Sequence, residues 1–298
     1  MAGYVVVGSL NVDHVLTITR LPRAGETVEA TAQAFVPGGK GANQAVALAR
    51  LGASVAMVGA VGEDAFGGLL RDRLLAEGVD VKGVLVTSSP TGMATVLVSA
   101  EGESTIVVAA GANRLLTPDV VRERLQSLDA ASTVVAQLEV PLETVGAAFR
   151  LARKAGARTV LDPAPADPSA ASLLPWTDLC LPNRHEASVL TGVEVTDFDR
   201  AEEAARRILA RGAGAVVVKL DRAGALFANR QKVVPVPAVP VHAVDATAAG
   251  DAFLAAFLEG EREGGLETAL RWATRAGALA ASRKGAQPSL PYRREIGP

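Results

Sequence analysis

Short apolar strands alternate with helices along most of this 298-residue chain, and this alternation restricts the fold more than any other feature. Residues 4–8 form a β-branched run that ends in glycine, 41–51 have a helical pattern, and 55–58 form a second apolar run. Later strands are predicted at 132–137, 158–162, 179–182 and 215–220, and helices at 66–77, 142–154, 186–190, 201–210, 253–262 and 266–283. Apolar strands between helices predict an α/β fold, in which helices cover both faces of a central, mostly parallel sheet.

Two segments depart from this rhythm by alternating apolar and polar residues, at 15–36 and at 92–108. Such alternation predicts half-buried antiparallel strands, and Glu101-Gly102-Glu103 is a plausible hairpin turn between two of them. We expect one α/β domain over 1–298, with a small sheet built from about 15–36 and 92–108. That sheet either closes over a ligand, pairs with a second copy of itself, or is a simple edge extension.

Composition excludes several classes of protein. Apolar residues make up 49% of the chain and charged residues 21%, as in a well-packed globule, and a net charge of −2 gives no electrostatic case for nucleic acid or an anionic membrane. The sequence shows no signal-peptide pattern and no apolar run of transmembrane length. A single cysteine, Cys180, excludes an intramolecular disulfide, and the three histidines lack zinc-ligand spacing. We expect a cytoplasmic location.

The run 244–254 is the strongest indication of chemistry. Small residues, including Ala248, Ala249 and Gly250, lead directly into Asp251 at the start of an apolar helix. The backbone amides of such a turn, together with the helix dipole, form an anion site. A carboxylate there repels anions, unless Asp251 takes a proton from a hydroxyl while the amides hold the phosphoryl group that this hydroxyl attacks. The alternative is an N-capping aspartate after a small-residue loop.

Other polar side chains follow predicted strands, where ligands of parallel sheets bind. Asn11 and Asp13 can hold vicinal hydroxyls, although this pattern is also common in turns. Residues 37–45 are glycine-rich and offer Gly39, Lys40 and Asn43 at a helix start. The loop is not a Walker A motif, and no dinucleotide fingerprint follows the first strand. Glu139 ends another strand and can cap a polyol. These groups favour a polyhydroxy substrate beside a nucleotide.

Two further segments are more ambiguous. Asn183 and Glu186 offer an amide and a carboxylate three residues apart, but Glu186 fits equally well as a capping-box acid. Residues 219–224 form a polar turn between 216–218 and 225–227, which predicts a hairpin at the sheet edge. The proline-rich loop at 162–166 is rigid, and we assign it no chemistry.

Motifs along nearly the whole chain, among them Gly38-Gly39-Lys40-Gly41-Ala42-Asn43-Gln44-Ala45, Gly111-Ala112-Asn113 and Ala248-Ala249-Gly250-Asp251, resemble those of ribokinase-type (pfkB) carbohydrate kinases. The resemblance implies a three-layer ribokinase-like fold with a small antiparallel β-sheet lid. It also implies ATP-dependent phosphorylation of a sugar's primary hydroxyl, which in ribose is the one on C5. The alternatives are a kinase for deoxyribose, fructose or adenosine, and a non-catalytic sugar-binding protein of the same fold.

The resemblance also implies residue roles. Asp251 would be the catalytic base, and the amides of Ala248, Ala249 and Gly250 the anion hole. The sugar would be bound by Asn11, Asp13, Gly39, Lys40, Asn43, Glu139 and Asp251. ATP would be bound by Asn183, Lys219, Asp221, Arg222, Ala223, Gly224, Gly250 and Thr274. Glu186 would lie near a water-coordinated Mg²⁺, and an activating K⁺ would be held by Asp245, Thr247, Ala280, Arg283, Gly285 and Ser289. The lid sheets would pair to form a homodimer.

The chain departs from the family pattern at three places. Ala246 replaces the usual threonine before the anion loop, and Asp221-Arg222 replaces the usual Gly-Ser of the nucleotide turn. Arg184 and His185 stand where acidic residues are common. Because Asp221 is negatively charged, we expect it to disfavour the ATP phosphates.

Overall fold

The protein is described here by a computed structural model that covers residues 3–101 and 103–297. Its strands are β1 (Tyr4–Val7), β2 (Asn11–Ile18), β3 (Ala30–Gly38), β4 (Val55–Gly62), β5 (Asp80–Thr87), β6 (Gly92–Val98), β7 (Ser104–Ala109), β8 (Thr133–Ala136), β9 (Arg158–Leu161), β10 (Leu179–Cys180), β11 (Ala215–Lys219), β12 (Ala225–Asn229) and β13 (Val233–Val236). Its helices are α1 (Lys40–Arg50), α2 (Ala65–Ala76), α3 (Pro118–Arg124), α4 (Leu142–Ala155), α5 (Arg184–Thr191), α6 (Phe198–Ala210), α7 (Ala249–Ala281) and α8 (Arg293–Ile296).

The larger sheet has the strand order β13-β12-β11-β10-β9-β8-β1-β4-β5. Its pairings are parallel from β11 to β5, and β12 and β13 add an antiparallel edge. One apolar core packs α1 and α7 against this sheet, and a second core packs α4 and α6 against it. The predicted α/β class with helices on both faces is therefore confirmed.

The smaller sheet has the order β3-β2-β6-β7 and comes from the two segments that alternate apolar and polar residues. The pairs β2–β3 and β6–β7 are antiparallel, whereas β2 and β6 are parallel, so the sheet is mixed and not purely antiparallel. Alternation of apolar and polar residues indicates that one face of a strand is buried. It does not indicate whether the neighbouring strand is parallel or antiparallel. Gly102 of the predicted hairpin turn lies outside the described residues; beside it, the Ser99 amide donates to the Glu103 carbonyl at 2.8 Å.

Several elements differ from the sequence prediction. Strand β5 and helix α3 were not predicted. The two predicted C-terminal helices are confirmed: both belong to α7, and non-helical backbone angles at Gly264 and Gly265 separate them. Strand β5 is the edge of the large sheet, where only some of its side chains are buried, so it lacks the continuous apolar run of the inner strands.

The fold brings the polar loops together at the carboxyl ends of the parallel strands. One turn connects β1 to β2, and a second connects β3 to α1, which begins directly after it. These two turns touch. A Cβ atom on Gly8 would lie 2.9 Å from Cα of Gly41, and Gly39 adopts a positive φ of 87°. Only glycine accommodates such an approach and such a backbone angle without strain. None of the helices in the described part of the chain combines the length and apolar character that a bilayer crossing requires.

Candidate active site

Asp251 lies in the first turn of α7 and is 4% exposed. Its Oδ1 accepts a hydrogen bond from Nε2 of Gln44 at 2.9 Å, and its Oδ2 accepts one from Nδ2 of Asn43 at 3.3 Å. The alternative interpretation of this side chain as a helix cap is wrong, because Ala248 occupies the cap position and Asp251 makes no capping bond. Burial raises the pKa of Asp251 to about 6, against the lowering effect of the Lys40 charge and the Gln44 hydrogen bond. A carboxyl with this pKa is suited to accept a proton near neutral pH.

The loop before Asp251 presents free backbone amides. Ala248 has the left-handed angles φ 59° and ψ 6°, which turn the chain into α7. Within residues 3–101 and 103–297, no acceptor faces the amides of Ala248 and Gly250, whereas the Ala249 amide donates to the Ala246 carbonyl at 3.2 Å. Free amides at the N-terminus of a long helix attract an anion.

Asn11 and Asp13 lie at the start of β2, close to Asp251. Nδ2 of Asn113 donates to Oδ1 of Asn11 at 2.8 Å and fixes the orientation of that amide. Burial, followed by the charges of Glu139 and Asp251, raises the pKa of Asp13 to about 7. A half-buried carboxyl in this position gains most from ligand hydroxyls that donate to it.

Glu139 and Lys40 complete this polar cluster. Oε2 of Glu139 accepts from the Ser9 hydroxyl at 2.5 Å and from the Lys40 amide at 3.0 Å. Burial lowers the pKa of Lys40, but the carboxylates of Asp162, Asp251 and Glu139 outweigh it and raise the pKa above its usual range. Lys40 is therefore a permanent cation among acidic groups.

The second group of candidate residues surrounds the start of α5. Asn183 and Glu186 form a capping box: the Asn183 amide donates to Oε2 of Glu186 at 2.6 Å, and the Glu186 amide donates to Oδ1 of Asn183 at 2.9 Å. Burial raises the pKa of the Glu186 carboxyl. Asn183 also pairs with Lys219 in a parallel bridge, so this cap adjoins the hairpin between β11 and β12 that the sequence predicted.

The two unusual residues of this region compensate one another. Nε of Arg184 lies 3.3 Å from Oδ2 of Asp221, and Nη2 of Arg184 donates to the Leu220 carbonyl at 2.9 Å. Asp221 has a positive φ of 52° and, with Arg222, is exposed in the turn before Ala223 and Gly224. The charge of Asp221 thus has a cationic partner within the same site.

Thr274 lies in a surface groove of about 480 Å³ between α7 and the edge strand β13. Val234, Val236 and Leu270 line the same groove, and the Thr274 hydroxyl donates to the Leu270 carbonyl at 3.0 Å. Lys232, Glu267 and Arg271 line it as well, so the groove combines apolar and charged groups, and its size fits a flat heteroaromatic ring.

Four of the six residues predicted to hold K⁺ lie in two segments that touch, namely Asp245, Thr247, Gly285 and Ser289. Oδ1 of Asp245 accepts from the amide and the hydroxyl of Thr247, at 2.9 and 2.6 Å, and Oδ2 accepts from the Gly285 amide at 2.8 Å. The Ser289 hydroxyl lies 3.5 Å from the Thr247 carbonyl. Ala280 lies near the end of α7 and Arg283 just after it: the Ala280 carbonyl accepts from the Arg283 amide, and the Arg283 guanidinium pairs with Glu295 at 2.5 Å.

A buried polar network that the sequence did not predict lies behind Asp251. Nε2 of Gln44 donates to Oδ2 of Asp162 at 3.0 Å as well as to Asp251, and Nζ of Lys219 donates to Oδ1 of Asp162 at 3.0 Å. Gln137 donates to the side-chain oxygen of Gln44. Asp162 belongs to the loop to which we assigned no chemistry. Its position directly after a buried strand could have marked Asp162 as a candidate site residue.

Known proteins share the sequence pattern and the fold of this chain. A family profile described as "pfkB family carbohydrate kinase" matches residues 1–293. The chain belongs to this family. This pfkB kinase is 38% identical to a ribokinase of Haemophilus influenzae over 292 residues, which cover 97% of the chain and 95% of that protein. It is 37% identical to a deoxyribokinase of Salmonella typhi over 294 residues, covering 96% and 94% respectively.

Solved structures show the same fold. The pfkB kinase superposes on the structure of Arabidopsis thaliana ribokinase complexed with ribose and ATP with a TM-score of 0.89 and 33% identity, over 99% of this chain and 97% of that one. The small mixed sheet and the large sheet described above therefore form a ribokinase-like fold.

Proposed function

We propose that this pfkB kinase phosphorylates D-ribose on its 5-hydroxyl and produces ribose 5-phosphate and ADP from ATP. The observation that carries the proposal is a buried carboxylate, Asp251, beside the free amides of Ala248 and Gly250 at a helix N-terminus. The similarity to ribokinases supports the choice of sugar. Deoxyribose is the second candidate, because a relative of almost equal identity is a deoxyribokinase.

The polar cluster supplies the groups that a pentose requires. In the proposed complex, Asn11, Asp13 and Glu139 accept from the sugar hydroxyls, Lys40 and Asn43 donate to them, and Gly39 leaves room for the ring. An oxygen of the Asp251 carboxylate takes the proton of the 5-hydroxyl. The sugar oxygen then forms a bond to the γ-phosphorus, the bond to the bridging oxygen of ADP breaks, and the free amides of Ala248 and Gly250 stabilise the charge on the phosphoryl oxygens.

ATP would lie across the second group of residues. We place the adenine in the groove beside Thr274 and the phosphates along the turn formed by Lys219, Asp221, Arg222, Ala223 and Gly224, next to Asn183. The chain of phosphates would then end at the Gly250 amide.

The donor sets suit two cations. Within the described residues no group of three or more acidic, histidine or cysteine side chains could hold a metal, so Mg²⁺ would keep most of its water and the ATP phosphates as ligands, with Glu186 nearby. It would neutralise phosphate charge. K⁺ would be held by Asp245, by the Ser289 hydroxyl and by backbone oxygens of Thr247 and its neighbours. Burial opposes the charge of Asp245, but hydrogen bonds from Thr247 and Gly285 keep its pKa below the usual range, so an anion is present there.

The small sheet is our candidate for a lid. Asn11 and Asp13 belong to it, so a movement of the sheet would open or cover the sugar site. Ile106, Val107 and Val108 of β7 are exposed, and we propose that this strand contributes to a homodimer. Cys180 is a buried free thiol, which agrees with a cytoplasmic protein.

The proposal is tested by measuring ADP release with ribose, deoxyribose, fructose and adenosine. We expect the highest kcat/KM with ribose. Asp251→Asn should lower kcat by about 10²–10⁴-fold or more and leave ribose affinity, measured by calorimetry, nearly unchanged. Turnover of Asp251→Asn equal to that of the parent would remove Asp251 from the role of base, and a preference for adenosine would overturn the sugar assignment.

A further inference from the structure

Lys219, the last residue of β11, places a buried cation close to the anion loop. Its Nζ donates to Oδ1 of Asp162 at 3.0 Å, and its side chain is 13% exposed. Within the described chain Asp162 is the side chain that accepts from this ammonium, so two of its three N–H bonds are available to a ligand.

The available N–H bonds lie on the phosphate side of the site. A Cβ atom on Gly250 would lie 3.4 Å from Nζ of Lys219, so the ammonium is next to the residue whose amide has no acceptor. Any anion bound to the Gly250 amide is therefore within reach of the lysine.

We propose that Lys219 is a catalytic residue that contacts the phosphoryl group during its transfer to the sugar, with Asp162 as the residue that positions it. This inference rests on the kinase function proposed above and adds a side-chain cation to the backbone amides of the anion hole.

Charge balance at the site supports this role. The carboxylates of Asp162 and Glu186 lie near the Lys219 ammonium, and Asp162 also lies near Asp251; without a cation these carboxylates would repel a phosphoryl group bound at the Gly250 amide. In phosphoryl transfer most catalysis comes from positioning and from neutralising charge on the transferring group. A cation held in place by Asp162 supplies this charge from a largely buried position, where electrostatic interactions are stronger than in bulk water.

A purely structural pair between Lys219 and Asp162 is the alternative. Burying an ion pair often contributes no net stability relative to apolar residues, but removing one partner leaves an uncompensated charge and destabilises the protein. A single substitution therefore cannot distinguish loss of a catalytic contact from loss of stability. A double variant that neutralises both Lys219 and Asp162 is also needed.

The first experiment compares Lys219→Met with Lys82→Met, a control at a lysine whose side chain is 92% exposed. We expect Lys219→Met to lower kcat by about 10²–10³-fold, as when one donor to a transition-state oxyanion is lost, with an unchanged KM for ribose. Affinity for a non-hydrolysable ATP analogue should fall, while affinity for ADP should not, because ADP lacks the phosphoryl group in question. Lys82→Met should match the parent.

The second experiment uses the double variant Lys219→Met/Asp162→Asn, in which both members of the ion pair are neutral. The proposal predicts that its melting temperature recovers relative to Lys219→Met while kcat stays low. Recovery of kcat together with stability, a kcat of Lys219→Met within threefold of the parent, or equal losses for ADP and the ATP analogue would each overturn it. The nucleotide measurements need no sugar, so they test Lys219 even if the ribose assignment fails.

Discussion

The side-chain amide of Gln44 donates a 2.9 Å hydrogen bond to Oδ1 of Asp251, and through its other N–H a 3.0 Å bond to Asp162. Gln44 therefore fixes the carboxylate of the proposed base relative to α1. Because a hydrogen bond to the charged form favours ionisation, Gln44 holds the pKa of Asp251 below the value that burial alone would give.

We predict that Gln44→Met raises the pKa of Asp251 and moves the acidic limb of the kcat profile upward by about 1 in pH. The base is active when ionised, so kcat should fall more at pH 6 than at pH 8.5. The measurement is kcat for ribose from pH 5.5 to 9, with the exposed Gln231→Met as control. A uniform loss of kcat across this range would show that Gln44 acts through packing and not through the carboxylate.

Asp251 should also lower the stability of the protein. Its folded pKa of about 6 lies above the ordinary value of 3.8, so the native state binds the proton more tightly than the unfolded chain does. Proton binding by Asp251 therefore stabilises the folded state. This stabilisation is complete below about pH 4 and is lost as the pH rises through 6. We predict that Asp251→Asn is more stable than the parent by about 1–3 kcal/mol at pH 8 and loses this advantage toward pH 4.

Urea unfolding of both proteins at pH 4.5, 6 and 8 measures this difference. The exposed Asp72→Asn serves as control and should show no such trend. If Asp251→Asn were equally or less stable than the parent at pH 8, burial of the ionised carboxylate would not destabilise the protein.

The sequence predicted the fold class from inner strands such as β1 and β8, whose side chains are all buried or nearly so. It did not predict β5, because an edge strand with exposed Asp80 and Lys82 lacks that signature. The parallel pairing of β2 with β6 was also missed, since the alternation of apolar residues along each strand is the same for both directions.

The same limit applies to the site. Asp251, Asp13 and Lys40 were predicted because each follows a glycine-rich or strand-terminal motif. The links between Gln44, Asp162 and Lys219 join residues as much as 118 positions apart, and no local pattern contains them. Long-range hydrogen bonds between side chains depend on how the strands are ordered in the sheet, which the sequence did not specify.

The pair formed by Arg184 and Asp221 should influence ATP binding. With 3.3 Å between Nε and Oδ2, Arg184 offsets the negative charge of Asp221 in the turn between β11 and β12. We predict that Arg184→Ala raises the KM for ATP by up to about fivefold, because both side chains are partly exposed and the interaction is screened. Asp221→Ser should lower that KM.

The double variant Arg184→Ala/Asp221→Ser should return the KM for ATP to near the parent value. Initial rates at 20 and 300 mM salt measure the effect, which should shrink at the higher concentration. A KM that stays high in the double variant would assign the loss to the hydrogen bonds of Arg184 with the Leu220 and Thr196 carbonyls instead.

The loop around Asp245 should confer a dependence on monovalent cations. Its carboxylate carries a negative charge and ties the Thr247 turn to Gly285, and both lie just before or beside the anion loop. A K⁺ bound there would hold the turn in place and increase the positive potential at the amides of Ala248 and Gly250. We predict that kcat in potassium chloride exceeds kcat in choline chloride by on the order of tenfold, or about 1.4 kcal/mol of the activation barrier.

Asp245→Asn should abolish this difference, because the neutral amide keeps an acceptor for the Thr247 amide but no longer attracts the cation. Asp199→Asn, at an exposed aspartate on α6, should retain it. The measurement is kcat for ribose at constant ionic strength in the two salts, with the melting temperature of each variant as a check on folding. Equal rates of the parent protein in both salts would contradict a functional cation at this loop, whatever the variants show.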